Sequence, residues 1–197
     1  MPLSYWFALL DVLVERFEAA HPEQACWRGF RLLAMNGTTI HLENWQRLRD
    51  HYGRSGNGHG KQKTQARMVM LQFPLVRLPC AYEVAPVAQG ETTLALRLLP
   101  HVRGNDLVLI DPGFWSYGSL ARIHARGAYF GVRLKKGISL RRLRSLGLKD
   151  HLVSWKPKRV RQNGADLPAS MQLRLIRYRL PVLFLPLEKS KNRSRWF

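Results

Sequence analysis

Carboxylates are what this chain has least of. Thirteen Asp and Glu stand against 32 Lys and Arg in 197 residues, a formal charge of +19. The imbalance is confined to one part. Residues 1–113 carry 12 basic and 10 acidic side chains, whereas residues 114–197 carry 20 and 3. A field of that size attracts polyanions, nucleic acid first and anionic membrane second. Cysteine is also nearly absent. Cys26 and Cys80 have neither metal-ligand spacing nor a disulfide framework, and they read as two buried thiols in a reducing cytoplasm. No apolar run approaches the roughly 20 residues that span a bilayer. The start, MPLSYWFALLDVLVERF, lacks the cationic opening of a secretory signal, and Asp11 and Glu15 interrupt its apolar stretch. These absences lead to the expectation of a soluble, cytoplasmic protein with no membrane partner.

What is present suffices for a core. Hydrophobic residues make up 46% of the chain, with six Trp and eight Phe, and the length fits one domain with at most a small insertion. Residues 4–20 have helical spacing, with Trp6, Leu9, Leu10, Leu13, Val14 and Phe17 on one face. Residues 30–42 read as a strand, a turn at Asn36-Gly37 and a second strand, because Asn-Gly is the strongest short hairpin signal. Strands are expected over 66–73 and 80–87, a helix over 91–99, and a helix over 117–126. The runs at 106–111 (DLVLID) and 128–134 (AYFGVRL) read as strands buried on both faces. This mixed order implies helices on a central sheet. The loop GRSGNGHGKQK (53–63) fails the phosphate-loop pattern, since Ser55 occupies the first glycine position and Gln62 that of the metal-binding hydroxyl.

Asp111 closes an apolar run and precedes Pro112-Gly113. At the carboxyl end of a central strand it is either a reactive group or a turn cap for Gly113. Asn36 ends another such run. If the two strands are neighbours, both side chains meet at one place, where carboxylates would hold Mg²⁺ for phosphoryl transfer. An amide offers a carbonyl oxygen there but no charge. The aromatics Phe114, Trp115 and Tyr117 suit either base stacking or core packing.

The runs RLLAMNGTTIHL and ALRLLPHVRGNDLVLIDPGFWSYGSL resemble the first two catalytic blocks of the DDE transposases of the insertion sequence four family, over roughly residues 27 to 180. The resemblance implies an α/β fold: a ribonuclease H-like mixed sheet flanked by helices, with a basic β insertion before the last catalytic helix. It further implies Mg²⁺ as cofactor, DNA as partner, possible self-association and a nucleoid-associated bacterial protein. Asp111 would then be the metal-binding acid, and Asn36 replaces the first acid. Pro112 stands where Arg is common. The third acid should lie on a helix with a Tyr…Arg…Glu…Lys signature. After Tyr178-Arg179 that signature is missing, and Glu188 lacks its context. The expectation is therefore a truncated transposase remnant, without the last helix and with little or no strand transfer. The organisation expected is an N-terminal helical segment at 1–26, a ribonuclease H-like core at 27–136, a basic β insertion at 137–180 and an irregular tail at 181–197. Arg141, Arg142, Arg144, Lys156, Lys158, Arg159 and Arg161 are the expected DNA-phosphate contacts. The alternative is a non-catalytic nucleic-acid-binding basic protein.

Overall fold

In the computed structural model, β1 (Phe30–His41) is one uninterrupted 12-residue strand. The structure describes residues 3–55, 63–157 and 167–178. The hairpin expected at Asn36-Gly37 does not form. Residues Ala34 to His41 instead pair antiparallel with Gln72 to Gln65 of β2 (Lys63–Phe73). A ladder spanning both halves of the strand outweighs the local turn preference of Asn-Gly. β3 (Leu78–Pro86) pairs antiparallel with β2, while β4 (Asp106–Ile110) and β5 (Tyr129–Val132) add in parallel on the far side of β1. The order is thus β3-β2-β1-β4-β5. Two-residue strands at Cys26–Trp27 and Arg54–Ser55 complete a seven-stranded sheet. A three-strand antiparallel meander joined to two parallel strands is the ribonuclease H-like arrangement.

Helices α1 (Leu3–Ala20), α2 (Gln46–Tyr52), α3 (Glu91–Arg97) and α4 (Tyr117–Ala125) flank the sheet. The pleat sends Leu33, Met35, Val69, Leu71, Phe73, Val108 and Ile110 to one face, and all are buried. Met35 and Ile110 pack there against Ala95 of α3 and Ile123 of α4. Phe17 of α1 stacks on Phe73, with ring centroids 5.2 Å apart. Full burial of one such side chain is worth about 1.5–3 kcal/mol.

The opposite face is less covered. Ala34, Met70 and Leu107 are half-buried, and Leu109 is 40% exposed, so DLVLI is not buried on both sides. β5 is also not a buried strand: it is the edge of the sheet, and Tyr129 is exposed. Residues 179–197, which include the expected irregular tail, lie outside the described residues. On α1 only Val14 is fully buried; Trp6, Leu9 and Leu13 are exposed. Cys80 is buried, which raises its thiol to about 11, whereas Cys26 is only half-buried; both are free.

One ion network ties α1 to the sheet. Arg31 Nε lies 2.6 Å from Glu18 Oε1, and its Nη1 lies 3.1 Å from Asp106 Oδ2. Arg103 Nη1 reaches Glu18 Oε2 at 2.8 Å, while the Arg103 amide donates to Asp106 Oδ2. Burial raises the Asp106 carboxyl above its usual range, although Arg31 and Arg103 pull the other way.

The chain forms two compact units, Met1–Ile138 with Pro157–Ala169, and Ser139–Lys156 with Ser170–Phe197. The second holds the antiparallel strands β6 (Arg141–Gly147), β7 (Asp150–Trp155) and β8 (Met171–Ile176), in the order β8-β7-β6. Val153, Trp155 and Met171 supply its buried side chains.

Candidate active site

The parallel register of β1 and β4 ends at the pair Met35 and Ile110. The next residues along the two strands are Asn36 and Asp111. They sit level on neighbouring strands, and the pleat turns both away from the face that Met35 and Ile110 occupy. Both are exposed. β4 stops here, but β1 continues. Asn36 is therefore mid-strand rather than at a strand tip, and it borders the open end of β4.

Asp111 has extended backbone (φ −62, ψ 139), and its Oδ1 accepts from the Gly113 amide at 2.6 Å. This caps the single 3₁₀ turn Pro112–Phe114. The turn-cap reading of Asp111 is thus realised. It is compatible with a reactive role, because Oδ2 makes no hydrogen bond among the described residues. Pro112 suits the first position of such a turn, where its missing N–H has no partner to lose.

On the opposite face of β1, α3 brings the Glu91 carboxylate over Gly37. Glu91 Oε2 lies 3.2 Å from the point a Cβ on Gly37 would take, and 3.9 Å from the corresponding point on Gly113. Asp111 Oδ1 lies 2.9 Å from that second point. Phe114 Cζ comes within 2.9 Å of the first. Any side chain at position 37 would strike the Phe114 ring and the Glu91 carboxylate, which is why glycine follows Asn36. Arg67 of β2 donates from Nη1 to the Gln89 carbonyl at 2.7 Å and holds its Nε 3.9 Å from Glu91 Oε1. Sequence reasoning missed Glu91, which looks like an ordinary first-turn acid of a helix. It stands four residues before the second resembling block, and no motif marks it.

The Asp111 carboxylate and the Asn36 amide carbonyl are hard oxygen donors of the kind Mg²⁺ takes. Gly37 faces the other side of the sheet, where Phe114 and the Glu91 carboxylate fill the space beside it. No cluster of three or more His, Cys, Asp or Glu side chains suited to a metal occurs among the described residues. Of the three aromatics suited to base stacking or core packing, Phe114 and Tyr117 are buried, with the Tyr117 hydroxyl donating to the Pro168 carbonyl, and Trp115 is half-buried.

In the second unit, every residue of β6 is exposed, including Arg141, Arg142 and Arg144. These three and the exposed Lys156 make no salt bridge among the described residues. Arg174, by contrast, is engaged twice by Asp150, with Nη2 2.6 Å from Oδ2 and Nε 3.1 Å from Oδ1; it draws the Asp150 carboxyl below its usual range. Lys158, Arg159, Arg161 and Glu188 lie outside the described residues, as does most of the glycine-rich loop. No described helix is long and apolar enough to cross a membrane.

Comparison with known proteins gives a consistent result. A family model described as the transposase DDE domain matches residues 27–191. The transposase InsG for insertion sequence element IS4 of Escherichia coli (strain K12) is 28% identical over 139 residues. That match covers 69% of this chain and 31% of the relative, so the chain spans about a third of its length. A cryo-EM structure of the piggyBac transposase synaptic complex with hairpin DNA superposes with a TM-score of 0.41 at 11% identity. It covers 64% of this chain and 30% of that one, a likeness too distant to bear on function.

Proposed function

The chain belongs to the transposase DDE domain family, and on that premise we propose that it is a catalytic-domain portion of a DNA transposase whose strand-cleaving chemistry is weakened at Asn36. The observation that supports this reading is that Asn36 and Asp111 each directly follow the last parallel pair, Met35 and Ile110, at the positions where the family's first and second blocks supply acids. A bound Mg²⁺ would stabilise the charge that develops on a phosphodiester under attack. Asp111 would hold that ion through its free Oδ2 while Oδ1 keeps the turn in place. Asn36 would orient by its carbonyl oxygen without adding charge. Losing one such preorganised electrostatic contribution typically costs about 10²–10³ in rate. Plasmid nicking by the purified chain should accordingly be slow, dependent on Mg²⁺ or Mn²⁺, and lost on Asp111→Ala.

DNA itself is engaged chiefly by the second unit. Among its described residues, Arg141, Arg142, Arg144 and Lys156 present cationic groups that no carboxylate neutralises, whereas Arg174 is spoken for by Asp150. Replacing these four with Gln should lower the slope of log K against log salt for duplex DNA by about 3 to 4, since each phosphate contact contributes about 0.9. An unchanged slope would refute the assignment. The second reading, a basic nucleic-acid-binding protein without catalysis, rests on the same cationic strand. It predicts that Asp111→Ala alters nothing measurable on DNA.

A further inference from the structure

We propose that the outward face of α1 is a contact surface between two copies of this chain. The proposal is independent of any metal at Asp111. A helix that is apolar on all sides is ordinarily buried on all sides, yet α1 is covered on one side only. There Val14 is buried, Phe17 stacks on Phe73 and Glu18 binds Arg31. The other side presents Tyr5, Trp6, Leu9, Val12 and Leu13, each 46–49% exposed. Their spacing of three and four residues makes them one continuous stripe.

The chemistry of that stripe suits protein rather than lipid or nucleic acid. Tyr5 and Trp6 already stand edge to face, with ring centroids 5.6 Å apart. Aromatics of these two types are the usual anchors of protein interfaces. The charges of α1 are Asp11, Glu15 and Glu18 against Arg16, a net acidic set. It disfavours phosphate, and a helix that lies on a membrane surface carries Lys and Arg beside its apolar face instead.

A second copy fits the stripe by symmetry and by area. With the two helices antiparallel about a two-fold axis between Leu9 and Val12, each Leu9 meets the other copy's Val12. Each Tyr5 ring then meets Arg16, an exposed residue that makes no salt bridge among the described residues. A guanidinium is attracted to an aromatic face, so the one charge within the stripe is matched. At half exposure the five apolar side chains offer on the order of 450 Å² per copy, given the size of such side chains. Two copies bury about 900 Å², near the lower limit for a specific interface, so the dimer is a weak one.

The test is sedimentation equilibrium of the full-length chain without DNA, over roughly 1–100 μM, the range in which a small interface dissociates. Circular dichroism confirms folding of each variant. The mass of wild type should rise with concentration from 22.8 kDa toward twice that value. Leu9→Asp sets like charges beside the axis and should weaken association at least tenfold. Trp6→Ser, which introduces no charge, should weaken it in the same direction. Leu148→Asp, at a 92% exposed leucine of the second unit, should leave it unchanged. A wild type that stays monomeric throughout would overturn the proposal. So would a dimer that Leu9→Asp and Trp6→Ser leave intact, or a monomer that binds phosphatidylcholine vesicles through Trp6 and Leu9.

Discussion

Asn36→Asp should raise Mg²⁺-dependent nicking of supercoiled DNA by about 100-fold over wild type, the scale expected when one preorganised electrostatic group is restored. The argument is positional. Asn36 and Asp111 each follow the last residue of the parallel pair Met35 and Ile110. An acid at 36 therefore adds a second charge beside Asp111. Two carboxylates without a cation repel one another, so the variant should melt below wild type in a chelator. It should regain stability as Mg²⁺ is added, because an ion that binds only the folded state stabilises it. Asp111→Ala in the same background should remove the gain. A folded, DNA-binding Asn36→Asp protein that nicks no faster than wild type would count against the site.

Arg31→Ala should destabilise the first unit by about 3–5 kcal/mol, the range for removing one partner of a buried ion pair. Arg31 has only 12% of its side chain exposed and contacts Glu18, Asp106 and the His101 carbonyl; its guanidinium lies 5.6 Å from the Phe73 ring centre. Asp106 is 1% exposed, and without Arg31 its charge keeps only the Arg103 amide and the more distant Arg103 guanidinium. The pH dependence has a definite sign. Burial raises the folded-state value of Asp106 above its unfolded one. The penalty for its charge is therefore present above the raised value and vanishes as pH falls below the unfolded one. Removing Arg31 raises the folded value further, so the loss measured in urea at pH 7 should shrink at pH 5. Adding Asp106→Asn to Arg31→Met should recover much of the stability. Equal losses at both pH values would show that Asp106 does not carry the effect.

Much of this was legible in the chain. The apolar runs at 30–35, 66–73 and 106–110 marked the central strands, and the helix expected over 117–126 forms as α4, capped by Ser116, whose Oγ accepts from the Ser119 amide. What was not legible is instructive. Asn-Gly is a turn signal only if nothing longer claims the strand, and here the ladder to β2 does. DLVLI looked buried on both sides because apolar runs do not record which face a neighbour covers, and Leu109 faces the side left half-open. The exposed apolar residues of α1 follow a helical period as faithfully as buried ones would. Glu91 escaped notice for a different reason. Its relation to Asp111 depends on where α3 starts relative to the strand ends, and no spacing along the chain encodes that.

The most direct test of the central claim is metal-directed backbone cleavage. Fe²⁺ in place of Mg²⁺, with ascorbate and peroxide, generates hydroxyl radicals where the ion sits, and the cut peptides can be mapped by mass spectrometry. Cuts should cluster at residues 36–37 and 111–113, two segments remote in sequence, and disappear in Asp111→Asn. Cuts confined to other segments, or spread evenly along the chain and indifferent to Asp111→Asn, would contradict a cation site at the end of β4.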